Sequence, residues 1–149
     1  MNDSSKNQNS KPYVLLAEDD EEMRRLLVQA LQKDGYKVCE CSTGLRLLDK
    51  LGNRLVEPEK LKCEPTEYDL IISDIRMPGV TGLSVLEGMR LFEGFPPMIL
   101  ITAFGDEETH TRANELGAAA VFDKPFEIED LLDKVHEVLA PVSHSKGCD

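Results

Sequence analysis

The chain alternates between short, continuous apolar runs and stretches in which apolar residues recur every three or four positions. Residues 13–17, Tyr-Val-Leu-Leu-Ala, form such a run, as expected for a strand buried on both faces. Met23, Leu26, Leu27, Ala30 and Leu31 follow at i, i+3, i+4, i+7 and i+8, which places them on one face of a helix. Gly35 supplies its stop, because glycine readily takes the left-handed conformation that ends many helices. Residues 37–41 read as a second strand and 43–51 as a short helix. The alternation then recurs, with strands at 70–73, 98–101 and 119–122 and helices at 81–92, 106–116 and 127–139. The last helix gathers Ile128, Leu131, Leu132, Val135, Val138 and Leu139 on one side. Five such units predict an α/β fold: a doubly wound five-stranded parallel sheet, covered by helices on both faces and joined by right-handed crossovers.

One segment interrupts this economy. Residues 52–67 are long for a helix-to-strand connection, where about 2–6 residues are usual. With Pro58, Pro65 and mixed charge, they are expected to extend the preceding helix and then loop over the surface. Residues 1–11 and 141–149 read as disordered tails, leaving 12–140 as the folded unit. A total of 149 residues suits one domain, at about 100–200 residues each.

Composition narrows the function. Lys and Arg number 17 against 28 Asp and Glu, a formal charge of −11, which argues against direct nucleic-acid binding through a basic face. No run approaches the roughly 18 apolar residues of a membrane span, and residues 1–11 lack an apolar signal-peptide core. A cytoplasmic, non-membrane protein is therefore expected. Cys39, Cys41, Cys63 and Cys148 form no C-x-x-C pair. Cys39 and Cys41 fall on one strand face, so all four are read as free thiols.

The chemistry lies where polar residues end the apolar strands. The first strand ends at Glu18-Asp19, the third at Asp74, the fourth at Thr102, and the fifth just before Lys124. In open α/β sheets, ligands bind at this carboxyl edge. Three carboxylates converging there repel, raising at least one pKa unless a cation joins them. Oxygen ligands in that number suit Mg²⁺, which can shield the approach of a phosphoryl group to a carboxylate nucleophile. A lysine and a threonine hydroxyl would contact the phosphoryl oxygens. The suggested reaction is aspartyl phosphorylation. Asp20, Glu21 and Glu22, by contrast, suit the positive end of the helix they begin.

Leu15-Leu16-Ala17-Glu18-Asp19-Asp20, Ser73-Asp74-Ile75-Arg76-Met77-Pro78-Gly79, Ile101-Thr102-Ala103 and Asp123-Lys124-Pro125-Phe126 together resemble the receiver domain of two-component response regulators, of the chemotaxis-regulator type. The resemblance covers nearly all of 13–140. It implies a flavodoxin-like three-layer sandwich with strand order 2-1-3-4-5. It implies Asp74 as phosphoacceptor, with Glu18, Asp19, Asp74 and the main-chain carbonyl of Arg76 holding Mg²⁺, Asp19 the more direct ligand of the acidic pair. It implies Thr102 as a switch hydroxyl, Lys124 as its phosphoryl-binding partner, and a cis Lys124–Pro125 peptide. The implied donor is a sensor histidine kinase or phosphotransfer protein. A downstream protein partner would use the face built from helix 4, strand 5 and helix 5, and a phosphorylation-dependent homodimer is a further partner the resemblance implies. Such a domain assists only its own phosphorylation and dephosphorylation and is not an enzyme in the usual sense.

The chain departs from the family at Val121, where an aromatic residue usually couples to the switch hydroxyl. Phe122 is adjacent but alternates to the other strand face. Two rivals fit less well. An aspartyl-phosphate phosphohydrolase needs a second Asp two residues after the nucleophile, where Arg76 stands. A flavin domain needs a hydroxyl- and glycine-rich phosphate loop where this chain has carboxylates. His110, His136 and His144 have no ligand spacing and receive no role. Arg24 and Arg25 are expected on a solvated helix face, Met77 in loop packing, and Gly44, Gly82 and Gly105 in turns or caps.

Overall fold

The computed structural model describes residues 11–51, 68–77, 80–89, 94–103 and 105–140. Strands β1 (Tyr13–Ala17), β2 (Lys37–Cys41), β3 (Leu70–Asp74), β4 (Met98–Thr102) and β5 (Ala120–Asp123) alternate with helices α1 (Glu21–Lys33), α2 (Gly44–Lys50), α3 (Gly82–Met89), α4 (Glu107–Glu115) and α5 (Ile128–Leu139). All strand pairs are parallel, and the order is β2-β1-β3-β4-β5, as the resemblance implied. The expected 52–67 extension, the 141–149 tail, residues 1–10 and the Pro78-Gly79 turn lie outside the described residues, as do 90–92 of the third expected helix.

Side-chain alternation divides the sheet into two cores. Leu15, Ala17, Ile71, Met98 and Leu100 pack with Leu47, Val85, Met89 and Ala113, beneath α2, α3 and α4. Val14, Leu16, Leu70, Ile72, Ile99 and Ile101 pack with Leu27, Leu31, Leu131 and Val135, beneath α1 and α5. β3 and β4 are buried at every residue, which is why they read as unbroken apolar runs. Each leucine buried in this way stabilises the fold by about 1.5–3 kcal/mol. Cys39 and Cys41 share one face and are free; Cys63 and Cys148 lie outside the described residues. No helix among the described residues is long and apolar enough to cross a membrane.

The helix ends follow local chemistry. Asp20 caps α1, its carboxylate accepting from the N–H groups of Glu22 and Met23, with Glu21 and Glu22 in the first turn. Thr43 and Asp106 cap α2 and α4 in the same way. Gly35 and Gly117 have φ of 97° and 93°, the left-handed conformation expected just past a helix end. Gly44 and Gly82 open α2 and α3, and Gly105 directly precedes the α4 cap, in line with the expected turn or cap positions. Each has a φ outside the left-handed region and lies where backbone or side chain approaches too closely for a Cβ. Close approach is therefore a second demand at these positions, beside their place at helix starts.

Candidate functional site

The carboxyl edge of the sheet is held by main-chain bonds that continue the ladders one residue past the strands. Glu18 N–H donates to Cys41 O (3.0 Å), Ile75 N–H to Ile101 O (2.7 Å) and Lys124 N–H to Thr102 O (2.8 Å). The residues around the rim therefore have fixed backbones. Strand alternation then sorts their side chains. Glu18, Asp74 and Lys124 continue the register of Leu16, Ile72 and Phe122, on the α1–α5 side. Thr102 and Asp123 continue that of Leu100 and Val121, toward α4.

Glu18 is fully buried and Asp74 nearly so, whereas Asp19 is exposed. Oxygens from all three carboxylates lie within 4.8 Å of one another. The Lys124 ammonium donates to Glu18 Oε2 at 3.1 Å and to Asp74 Oδ2 at 3.2 Å. Burial pushes the Glu18 carboxyl up to about 7, against the lowering effect of the Asp20 N–H, and the Asp74 charge raises it further. Burial alone would lower the Lys124 ammonium, but the Glu18 and Asp74 charges together outweigh it and raise it. One lysine thus sits among three acids, leaving an excess of negative charge.

Glu18 Oε1 is buried with no hydrogen-bond partner among the described residues. A buried carboxylate oxygen without a donor is costly, and a cation would satisfy it. The donor set is all oxygen, which suits Mg²⁺ in preference to softer metals. The residues present therefore fit such an ion. An open cleft of about 570 Å³ beside them is lined by Asp19, Arg76, Met77, Thr81, Thr102 and Thr109. All six expected site residues thus lie at one edge: Glu18, Asp19 and Asp74 grouped together with Lys124 on Glu18 and Asp74, and Thr102 and Arg76 along the adjoining cleft. Lys124–Pro125 is cis.

The family comparison decides the class. The model of the response regulator receiver domain matches residues 14–136. The chain belongs to this family. As a receiver domain of two-component systems, it is 30% identical over 126 residues to sporulation initiation phosphotransferase F of Bacillus subtilis, covering 85% of this chain and 92% of that protein. It is 31% identical to the response regulator receiver protein CpdR of Brucella abortus, over 85% of this chain and 95% of that one. It spans about half of other relatives, such as the uncharacterized transcriptional regulatory protein YkoG of Bacillus subtilis (51%). Among solved structures, the non-phosphorylated HemR receiver domain of Leptospira biflexa superposes with a TM-score of 0.69 at 30% identity, covering 88% of this chain and 96% of that one. The chemotaxis response regulator CheY4 of Vibrio cholerae gives 0.68 at 27%, over 87% and 100%.

Sequence reasoning missed several side-chain contacts of this receiver domain. Arg24, expected on a solvated face, instead donates from Nη1 to Glu18 O at 2.8 Å and from Nε to Glu40 Oε1 at 3.0 Å. Arg25 does face solvent, paired with Glu21. Nothing in the sequence separates these neighbours, because the difference lies in which one points toward β2. His110 and His136 also have partners. His110 meets Asp123. His136 donates from Nε2 to Asp34 at 2.7 Å and lies 2.9 Å from the Tyr36 hydroxyl through Nδ1.

Proposed function

We propose that Asp74 accepts a phosphoryl group from a phosphohistidine on a sensor histidine kinase or phosphotransfer protein. The observation that carries this is the Asp74 carboxylate, buried at the sheet edge with Lys124 on Oδ2 and two further carboxylates beside it. Glu18, Asp19, Asp74 and the Arg76 carbonyl would hold Mg²⁺. When bound, the ion supplies charge shielding between the entering phosphoryl group and the acidic rim.

The chain's own residues do the rest. Lys124 holds Asp74 Oδ2, leaving the other carboxylate oxygen to act as nucleophile. That oxygen forms the O–P bond as the donor's N–P bond breaks, and the departing imidazole takes up a proton from solvent. Lys124 then neutralises part of the added phosphoryl charge, and the Thr102 hydroxyl donates to a phosphoryl oxygen. The redistribution shifts the α4–β5–α5 face between two populations, and a downstream protein or a second copy of the chain reads it. Hydrolysis resets the state, so the domain acts only on its own acyl phosphate. Residues 12–140 would form the functional unit, acting in the cytoplasm beside the proposed kinase.

The test is incubation with acetyl phosphate and Mg²⁺, followed by intact mass. One phosphoryl group per chain is expected on the wild type and none on Asp74→Asn. An unmodified wild type, or equal uptake by the variant, rejects the assignment.

A further inference from the structure

His110 lies in α4 and Asp123 is the last residue of β5, 13 positions apart. The His110 Nε2 is 2.9 Å from Asp123 Oδ1 and 3.0 Å from Oδ2, so one N–H is shared by both oxygens of the carboxylate. Gly105, just before the α4 cap, closes over the same pair. A Cβ there would collide with the Asp123 carboxylate and come within 3.0 Å of His110 Nε2. Three segments therefore converge on one carboxylate: the β4–α4 connection, α4 itself and the end of β5.

That carboxylate is next in the chain to Lys124. Asp123 is also the register partner of Thr102, and Lys124 N–H is bonded to Thr102 O at 2.8 Å. Asp123 points to the α4 side of the sheet while Lys124 points to the opposite side, where its ammonium reaches Asp74. A displacement of α4 that pulls on Asp123 must therefore act on the backbone carrying Lys124.

We propose that His110 is a positioning residue for Lys124, so that the clamp on Asp123 couples the placement of α4 to the phosphoryl chemistry at Asp74. The inference rests on Asp74 being the phosphoacceptor. With the clamp closed, Lys124 is held ready to receive phosphoryl oxygens. When phosphorylation draws Lys124 toward the new charge, the pull passes through Asp123 to His110 and loosens or shifts α4. Coupling free energies are reciprocal, so a partner that grips α4 changes the stability of the phosphorylated state. A half-exposed pair of this kind adds little to folding stability. Its contribution would appear in kinetics and in the α4 response.

The experiment uses the full chain, with acetyl phosphate and Mg²⁺ as probe. Intact mass follows uptake and decay, and hydrogen exchange of α4 is compared before and after phosphorylation. His110→Ala is expected to slow uptake about threefold and to abolish the exchange change in α4. His110→Gln retains a donor and should restore most of both. The double variant His110→Ala/Asp123→Asn should be no slower than Asp123→Asn alone, since both remove one contact. Wild-type uptake with a wild-type α4 response in His110→Ala, or additive slowing in the double variant, overturns the proposal. A wild type that takes up no phosphoryl group overturns it together with the Asp74 assignment, whereas a phosphorylated wild type beside an unaffected His110→Ala overturns this inference alone.

Discussion

The Arg24 guanidinium on α1 donates to the main-chain oxygen of Glu18 at 2.8 Å. The first helix thus holds the end of the strand that delivers the acidic pair. The same side chain reaches Glu40 on β2, so the contact spans β1, α1 and the neighbouring edge strand. Its position suggests that the geometry of the acidic rim depends on a residue outside the rim.

Replacing Arg24 with alanine should lower stability by about 1–2 kcal/mol, mainly because a part-buried carbonyl loses a charged donor. Urea denaturation would measure this. Mg²⁺ affinity should fall in the same variant, whereas Arg25→Ala, which removes only an exposed i,i+4 pair, should leave both within about 0.5 kcal/mol. Equal behaviour of the two variants would show that the Glu18 contact is incidental.

Lys124→Met should destabilise the metal-free protein at pH 8. The lysine offsets a fully buried Glu18 and a nearly buried Asp74, and removing one partner of a buried pair leaves the other charge uncompensated. Because the Lys124 side chain is 20% exposed, water screens part of the effect, and about 1–3 kcal/mol is expected. Thermal unfolding with and without Mg²⁺ checks it: the ion should raise the melting temperature more in the variant than in the wild type. An unchanged metal-free midpoint would mean that the acids share a proton instead.

Gly44→Ala should cost about 1–3 kcal/mol, because its Cβ would run into the main chain of Val80, which cannot yield as a flexible side-chain tip can. Gly117→Ala meets nothing within 4 Å but has a φ of +93°. Its penalty is conformational alone, about 1 kcal/mol. Chemical denaturation of the two variants separates steric from conformational demand, and a reversed order would contradict the close approach of α2 to Val80.

Burial pushes the Cys41 thiol up to about 11, and the Cys39 thiol adds to the shift. A raised folded pKa gives a contribution to stability that is complete below the ordinary value of 9.0 and is lost as pH climbs toward 11. At pH 8.5 the native Cys41 should alkylate about 100-fold more slowly than in the urea-unfolded chain. Peptide mapping after iodoacetamide treatment reads the rate at that residue. Comparable rates in both states would show that the β2 edge opens readily.

Much of this architecture is legible before folding because its signals are local. The apolar runs at β1, β3 and β4 announce strands covered on both faces, and Asp20, Gly35 and Gly117 mark helix ends through their own backbone chemistry. Even the convergence of Glu18, Asp74 and Lys124 is readable, since parallel strands bring all their carboxyl ends to one edge. The close approaches at Gly44, Gly82 and Gly105 are not legible in this way. They arise from Val80, Asp74 and Asp123, which only the folded arrangement brings against these glycines.

The sequence by itself determined the βα alternation, the rim of polar residues and the class of chemistry that rim permits, because periodicity and strand direction are properties of the chain. The tertiary structure decided three matters that depend on cross-sheet distance. It buried Glu18 while leaving Asp19 exposed, which raised one pKa and left one oxygen without a donor among the described residues. It turned Arg24 inward and Arg25 outward. It also set His110 against Asp123, a contact between a helix and the far edge of the sheet that no spacing rule could anticipate.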